Sequence, residues 1–176
     1  MRLYKLTDHT GQTYNNTQWG EGVTHSAPGT GEMCSAGWIH AYESPVLALL
    51  MNPVHASADP LLWEAEGEIG RTDGTKCGVV ALTTLRCIPL PMVTLTQRIA
   101  FGILAAKTGH TSPSFHVWAD NWLSGKNRSA AASAAATVTT AAGANAVDAA
   151  IAAAAAAAAL GIPLNLVHIA EESLQY

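Results

Sequence analysis

Apolar and polar residues alternate in short blocks through the first half of the chain, and the pattern predicts a strand-rich region with tight turns. Residues 2–7 form the first strand, Asp8-His9-Thr10-Gly11 a turn, and residues 12–14 return as a hairpin. Residues 15–30, rich in Asn, Gly, Thr and Pro, read as a long loop. Residues 38–42 follow Gly37 as a strand. Ser44 then caps a helix whose first position is Pro45, and Asn52-Pro53 stops it. Residues 61–69 alternate cleanly: Trp63, Ala65, Gly67 and Ile69 share one face, and Glu64, Glu66 and Glu68 share the other, expected to face solvent. Arg71-Thr72-Asp73-Gly74 carries Asp-Gly turn chemistry, residues 76–82 and 84–88 are further strands, and Pro89 and Pro91 end the sheet region.

Beyond that point the period becomes helical. Thr94-Leu95-Thr96-Gln97 fits a capping box, and the helix it opens aligns Leu95, Ile99, Ile103 and Ala106 before ending at Gly109. Residues 111–115 read as a loop. Residues 116–123 form a short helix in which Trp118 and Trp122, four apart, pack on a core. Residues 129–159 are almost all alanine, the strongest helix former, interrupted by Gly143 and closed by Gly161. A last helix over residues 165–174 aligns Leu166, Ile169, Ala170 and Leu174. The expected class is α+β: a small antiparallel-rich sheet with one or two helices over residues 1–91, then an alanine-rich helical bundle over residues 92–176. No aromatic residue lies between Trp122 and Tyr176, so those helices are expected to pack closely through small side chains.

Composition narrows the function classes. Only 12% of residues are charged and the net charge is −4, which argues against a nucleic-acid surface. Cys34, Cys77 and Cys87 are far apart, and their odd number points to a reduced, cytoplasmic setting. The N-terminus carries no apolar targeting segment. Residues 149–164 are uncharged but shorter than the ~20 residues a spanning helix needs, so no membrane association is expected.

The densest chemistry is Cys34-Ser35-Ala36-Gly37-Trp38-Ile39-His40-Ala41-Tyr42-Glu43-Ser44-Pro45. A strand here puts Trp38, His40 and Tyr42 on one face. His40 is then a candidate general acid/base or ligand and Tyr42 a stacking platform; otherwise His40 makes a structural hydrogen bond. A Cys34–His40 nucleophile pair needs an oxyanion donor and an orienting third group, neither legible in the sequence. His25, Cys34, His40 and His55 have no metal-ligand spacing, and no metal is expected. Gly29-Thr30-Gly31 lacks the Lys-Ser/Thr of a phosphate loop. The candidate binding residues are Trp19, Cys34, Trp38, His40, Tyr42 and Glu43.

The same segment resembles the C-x-x-G-F-H-A-C-E-x-P signature of an uncharacterised domain of phage and prophage proteins, with Ile39 inserted and Tyr42 in place of a cysteine. In that family an opening strand like Leu3-Tyr4-Lys5-Leu6-Thr7-Asp8 precedes the signature, and an F-x-V-E-x-x-G strand follows, where Trp63-Glu64-Ala65-Glu66-Gly67 stands here; the likeness covers roughly residues 1–90. The segment from Trp118 to Ser129 and the alanines after it are similar to the tails of some phage and immunity proteins. The order of strand, Gly37-Trp38-Ile39-His40-Ala41, helix and Trp63 strand also resembles an ADP-ribosyltransferase core. That resemblance implies NAD near Tyr4, His40 and Tyr42, but residues 76–88 lack the late acid such enzymes use. The resemblances imply a non-enzymatic, phage-encoded accessory protein in the host bacterial cytoplasm. It would bind a host or phage protein, without cofactor, and inhibit an antiviral defence system in the manner of an anti-CRISPR. The rivals are an NAD-using enzyme with Tyr4, His40 and Tyr42 at its site, and a virion component that self-associates through the alanine helices.

Overall fold

The computed structural model describes residues 1–52, 59–129, 151–154, 161 and 163–176. The fold is α+β, with antiparallel pairing throughout. The chain divides into two compact units, Met1–Met92 and Val93–Tyr176.

In Met1–Met92 the strands are β1 (Arg2–Thr7), β2 (Gln12–Thr13), β3 (Thr17–Gln18), β4 (Thr24–Ser26), β5 (Ile39–Ala41), β6 (Leu61–Thr72) and β7 (Cys77–Ile88), with helix α1 (Pro45–Met51) after β5. β6 pairs with β1 on one side and β7 on the other, and its register against β7 shifts at three places. Such bulges bend and twist a long strand pair. The far edge of β7 is shared: β5 pairs at its start, Ala41 opposite Cys77, and β4 pairs further along, His25 opposite Leu82. Tyr4 and Tyr42 then exchange two backbone hydrogen bonds, of 2.8 and 2.9 Å. The sheet thus closes on itself in the order β1–β6–β7–β5, which occupies edges that would otherwise recruit other strands. Leu3, Trp19, Ala41, Ala65, Cys77, Val79 and Leu82 fill its interior, with Ile39 and Ile69 against them.

Several expectations need correction. Residues 12–14 do not return onto β1: β2 pairs with β3 in a separate two-stranded ribbon. The supposed loop 15–30 contains both β3 and β4. Strands of two or three residues show no periodicity and are held by their neighbours. Residues 76–82 and 84–88 merge into one strand, β7. Glu64 is not a solvent-facing residue: it is 5% exposed, covered by Arg86 Nε at 2.6 Å and Arg2 Nε at 2.9 Å.

α1 begins as the sequence dictates, with Ser44 Oγ accepting from Leu47 N and Pro45 at the first helical position. Val93–Tyr176 holds α2 (Leu95–Gly109), α3 (Pro113–Leu123) and α4 (Leu166–Ser173). The capping box of α2 is present in both directions, Thr94 with Gln97. Its buried face is Ala100, Phe101, Ile103 and Ala105, whereas Leu95 is 57% exposed, so the expected stripe is rotated. α3 starts at Pro113, inside the supposed loop 111–115, because proline at the first helical position reads as a breaker in sequence. Phe115, Ala119, Trp122 and Leu123 pack with Ala100 and Ile103. In α4 the fully buried Ser173, rather than Leu174, completes the inner face. Residues 151–154 are helical; the remainder of the expected alanine helices, and His55, lie outside the described residues. No described helix is long and apolar enough to cross a membrane.

Candidate functional site

A cavity of about 1010 Å³ opens in Met1–Met92, walled by β1, the β2–β3 ribbon, Trp19, His25 and the segment around β5. The geometry follows from strand alternation. On β1, Leu3, Lys5 and Thr7 point to the interior face, which makes Lys5 a buried residue at 9% exposed. Lys5 Nζ donates to the carbonyl of His40 at 2.8 Å and lies 5.2 Å from the centroid of the Trp19 ring. Burial pushes the Lys5 amine down to about 8, against the opposing influence of Cys77.

On β5, Ile39 and Ala41 face the core and leave Trp38, His40 and Tyr42 on the other side. Trp38 fits against Gly70 and Gly78, where a Cβ would meet its ring at 2.6 and 3.2 Å, and donates its indole N–H to Gly31 O at 3.1 Å. The ring of His40 bonds through Nε2 to the carbonyl of Met33. A carbonyl can only accept, so Nε2 carries the proton. Burial, more than any neighbour, lowers the His40 pKa, with Lys76 and Lys5 adding to the effect; the Met33 carbonyl and Asp73 oppose it. The imidazole is therefore neutral at pH 7 and committed to holding the loop before β5. The Tyr42 hydroxyl is raised by burial and by Asp73 and Cys77, so it stays a phenol.

Trp19 is a wall rather than an exposed contact. It is 3% exposed, donates to Thr13 Oγ1 at 2.9 Å and meets the His25 ring edge-on at 4.6 Å. Cys34 is exposed at the rim, and Lys76 is paired with Asp73 at 2.9 Å. No hydrogen bond joins the His40 ring to Cys34 among the described residues. Trp19, Cys34, Trp38, His40 and Tyr42 thus all line the cavity; Tyr4 and Glu43 do not. Nor does Glu64, whose carboxyl is held low first by its bond from Arg86 and then by Arg2, against the pull of desolvation. The carboxylate that does line it, Asp8, is spent on its own turn: Oδ1 accepts from Thr10 N, Thr10 Oγ1 and Gln12 N at 2.7–2.9 Å.

Comparison of the chain with family models, curated proteins and solved structures finds no match. The site has to be understood from its own chemistry. Among the described residues no group of three or more His, Cys, Asp or Glu could hold a metal ion. Sequence reading missed Lys5, and the signal was present in the alternation of Leu3, Lys5 and Thr7. It also missed Tyr14, 86% exposed at the cavity mouth, on a turn where Asn15 and Asn16 adopt left-handed φ of 58° and 53°. Those two strained residues hold an aromatic side chain out in solvent.

Proposed function

We propose that this chain is a non-enzymatic, phage-type accessory protein that works by binding another protein, a host or phage component, in the bacterial cytoplasm. The biology proposed is inhibition of an antiviral defence system. The reading is carried by one observation: the groups around the cavity best suited to proton transfer are committed to structural bonds. The His40 ring holds the Met33 carbonyl, and Asp8 holds its own turn. General acid–base work needs a group free to reach the substrate, with a pKa matched to its task. The mouth, in contrast, offers Tyr14 as an exposed aromatic of the kind that anchors protein contacts. The resemblance of residues 34–45 to the phage-protein signature supports the biological setting.

The test is co-purification of the tagged full chain from phage-infected cells, beside Tyr14→Ala. A stoichiometric complex that weakens in the variant supports the reading. A chain that elutes alone, or a complex indifferent to Tyr14, argues against it. Tyr14 is exposed, so its removal leaves folding intact.

One rival retains support from the site. His40 and Tyr42 both line a cavity large enough for a nucleotide-sized ligand, as an NAD-using enzyme would require, although Tyr4 does not join them. Calorimetry with NAD separates the two: saturable binding lost in His40→Ala favours the rival. Self-assembly through the alanine helices concerns residues outside those described.

A further inference from the structure

We propose that the cavity is a carboxylate-binding site in which the ammonium of Lys5 anchors the anion. This deepens the binding-protein reading by naming the chemistry that enters the cavity. Buried charges in folded proteins are paired. In Met1–Met92 the other basic side chains are ion-paired, three of them although exposed: Arg2 and Arg86 meet Glu64, Arg71 meets Glu32, and the partly buried Lys76 meets Asp73. Lys5 is far more buried than Arg2, Arg71 or Arg86, yet it has no ion-pair partner among the described residues. It lines the cavity. An ammonium has three donors. One goes to the His40 carbonyl and the positive charge lies over the Trp19 ring, which leaves donor capacity and net charge unanswered. A neutral carbonyl and a π face are weaker partners for a cation than a carboxylate.

The inventory also selects among anions. A phosphate is usually cradled by several donors, from backbone amides at a helix N-terminus or from clustered cations. Here Lys5 is the one lysine or arginine among the described lining residues, and the His40 ring N–H is taken by Met33. A single point charge suits a monoanion. The wall beside it, Trp19, is aromatic, so the ligand carries an apolar body beside its carboxylate. Such a group can come from a small organic acid or from an acidic side chain of a partner protein.

The test uses the full chain with three probes: phenylacetate, its neutral isostere phenylacetamide, and inorganic phosphate, followed by nuclear magnetic resonance of the Trp19 indole and the Lys5 side chain. The expected result is saturable binding of phenylacetate, at least about tenfold weaker binding of phenylacetamide, and no tighter binding of phosphate. Lys5→Met, which keeps the length and apolar stem, removes the difference between acid and amide, and circular dichroism checks that it folds. Should Lys5→Met not fold, Lys5 titration in the wild type decides: phenylacetate, unlike phenylacetamide, raises its midpoint from about 8. Equal binding of acid and amide, tighter binding of phosphate, an unmoved Lys5 midpoint or no binding at millimolar probe overturns the proposal. A second arm replaces phenylacetate by acetyl-Phe-Glu-amide; preference for this peptide assigns the carboxylate to a partner protein, and preference for phenylacetate to a small molecule, both with Lys5 as anchor. The two readings fail separately. Phenylacetate binding without a co-purifying partner sinks the binding-protein reading alone, and a Tyr14-dependent complex without carboxylate selectivity sinks this one alone.

Discussion

Lys5 on β1 and His40 on β5 are joined by a 2.8 Å hydrogen bond from the ammonium to the backbone carbonyl. The bond spans 35 positions of sequence and ties together the two strands that close the sheet. His40 passes the connection on, through its ring, to the Met33 carbonyl. Two titratable side chains therefore hold the wall of the cavity, and their protonation is linked to folding.

Lys5 should add stability as pH rises from 8 towards 10.5, opposed from about pH 9 by Cys77, whose thiol burial raises. The Lys5 amine sits at about 8 when folded and near 10.5 when free. Within that window the unfolded chain keeps a proton that the folded chain has released, so the penalty of burying the charge fades as pH increases. Complete below pH 8, the penalty is at most about 3 kcal/mol. Urea denaturation at pH 7 and pH 10 measures it. Lys5→Met should flatten the rise while leaving the remaining pH dependence in place.

The turn between β6 and β7 should respond to acid. Burial pushes the Asp73 carboxyl up, but bonds from the hydroxyl and amide of Thr75 and from the side chain and amide of Lys76 bring it down to about 2. A lowered carboxyl stabilises the fold above its ordinary pKa of 3.8, and that contribution is lost as pH falls towards 2. The group is partly exposed, so solvent screening limits the effect to about 1 kcal/mol. Asp73→Asn should lose that amount at pH 7 and show a shallower acid limb, measured by denaturant midpoints from pH 7 to pH 2.

Gly37→Ala should be severely destabilising. A Cβ at Gly37 would lie 1.7 Å from the Thr30 carbonyl oxygen, in a loop already closed by the 2.8 Å bond from Gly29 N to Gly37 O. Backbone has to move, and a cost of about 2 kcal/mol or more follows. Thermal unfolding reads it directly. The glycine of the C-x-x-G pattern is thus required by the loop that carries Cys34, whatever the partner.

Cysteine labelling should be selective. Cys34 and Cys87 are exposed, whereas Cys77 is buried, donates to Ala41 O at 3.1 Å and is pushed up by burial to about 12. Iodoacetamide at neutral pH should modify Cys34 and Cys87 and spare Cys77 until denaturant is added, as mass spectrometry of the peptides would show.

The parts of this fold legible in the sequence are those specified locally. Ser44-Pro45 and Thr94 with Gln97 mark helix starts because their own atoms make the caps. The Leu61–Thr72 strand is announced by its alternation, although the alternation does not reveal that Arg2 and Arg86 cover Glu64 from neighbouring strands. β3 and β4 leave no trace, since strands so short exist only through their pairing with β2 and β7. Of the site, Trp38, His40 and Tyr42 share a face as their spacing requires. Lys5 was hidden by its residue type: lysine is read as surface, and only closure of β5 onto β1 makes its position an interior one. The cavity itself is a product of that closure and has no local signature.

Co-purification from infected cells puts the claim of recognition to its most direct test. The expected result is a stoichiometric complex between the full chain and one host or phage protein, weakened by Tyr14→Ala. A chain recovered alone that instead consumes NAD, with the activity lost in His40→Ala, would contradict it.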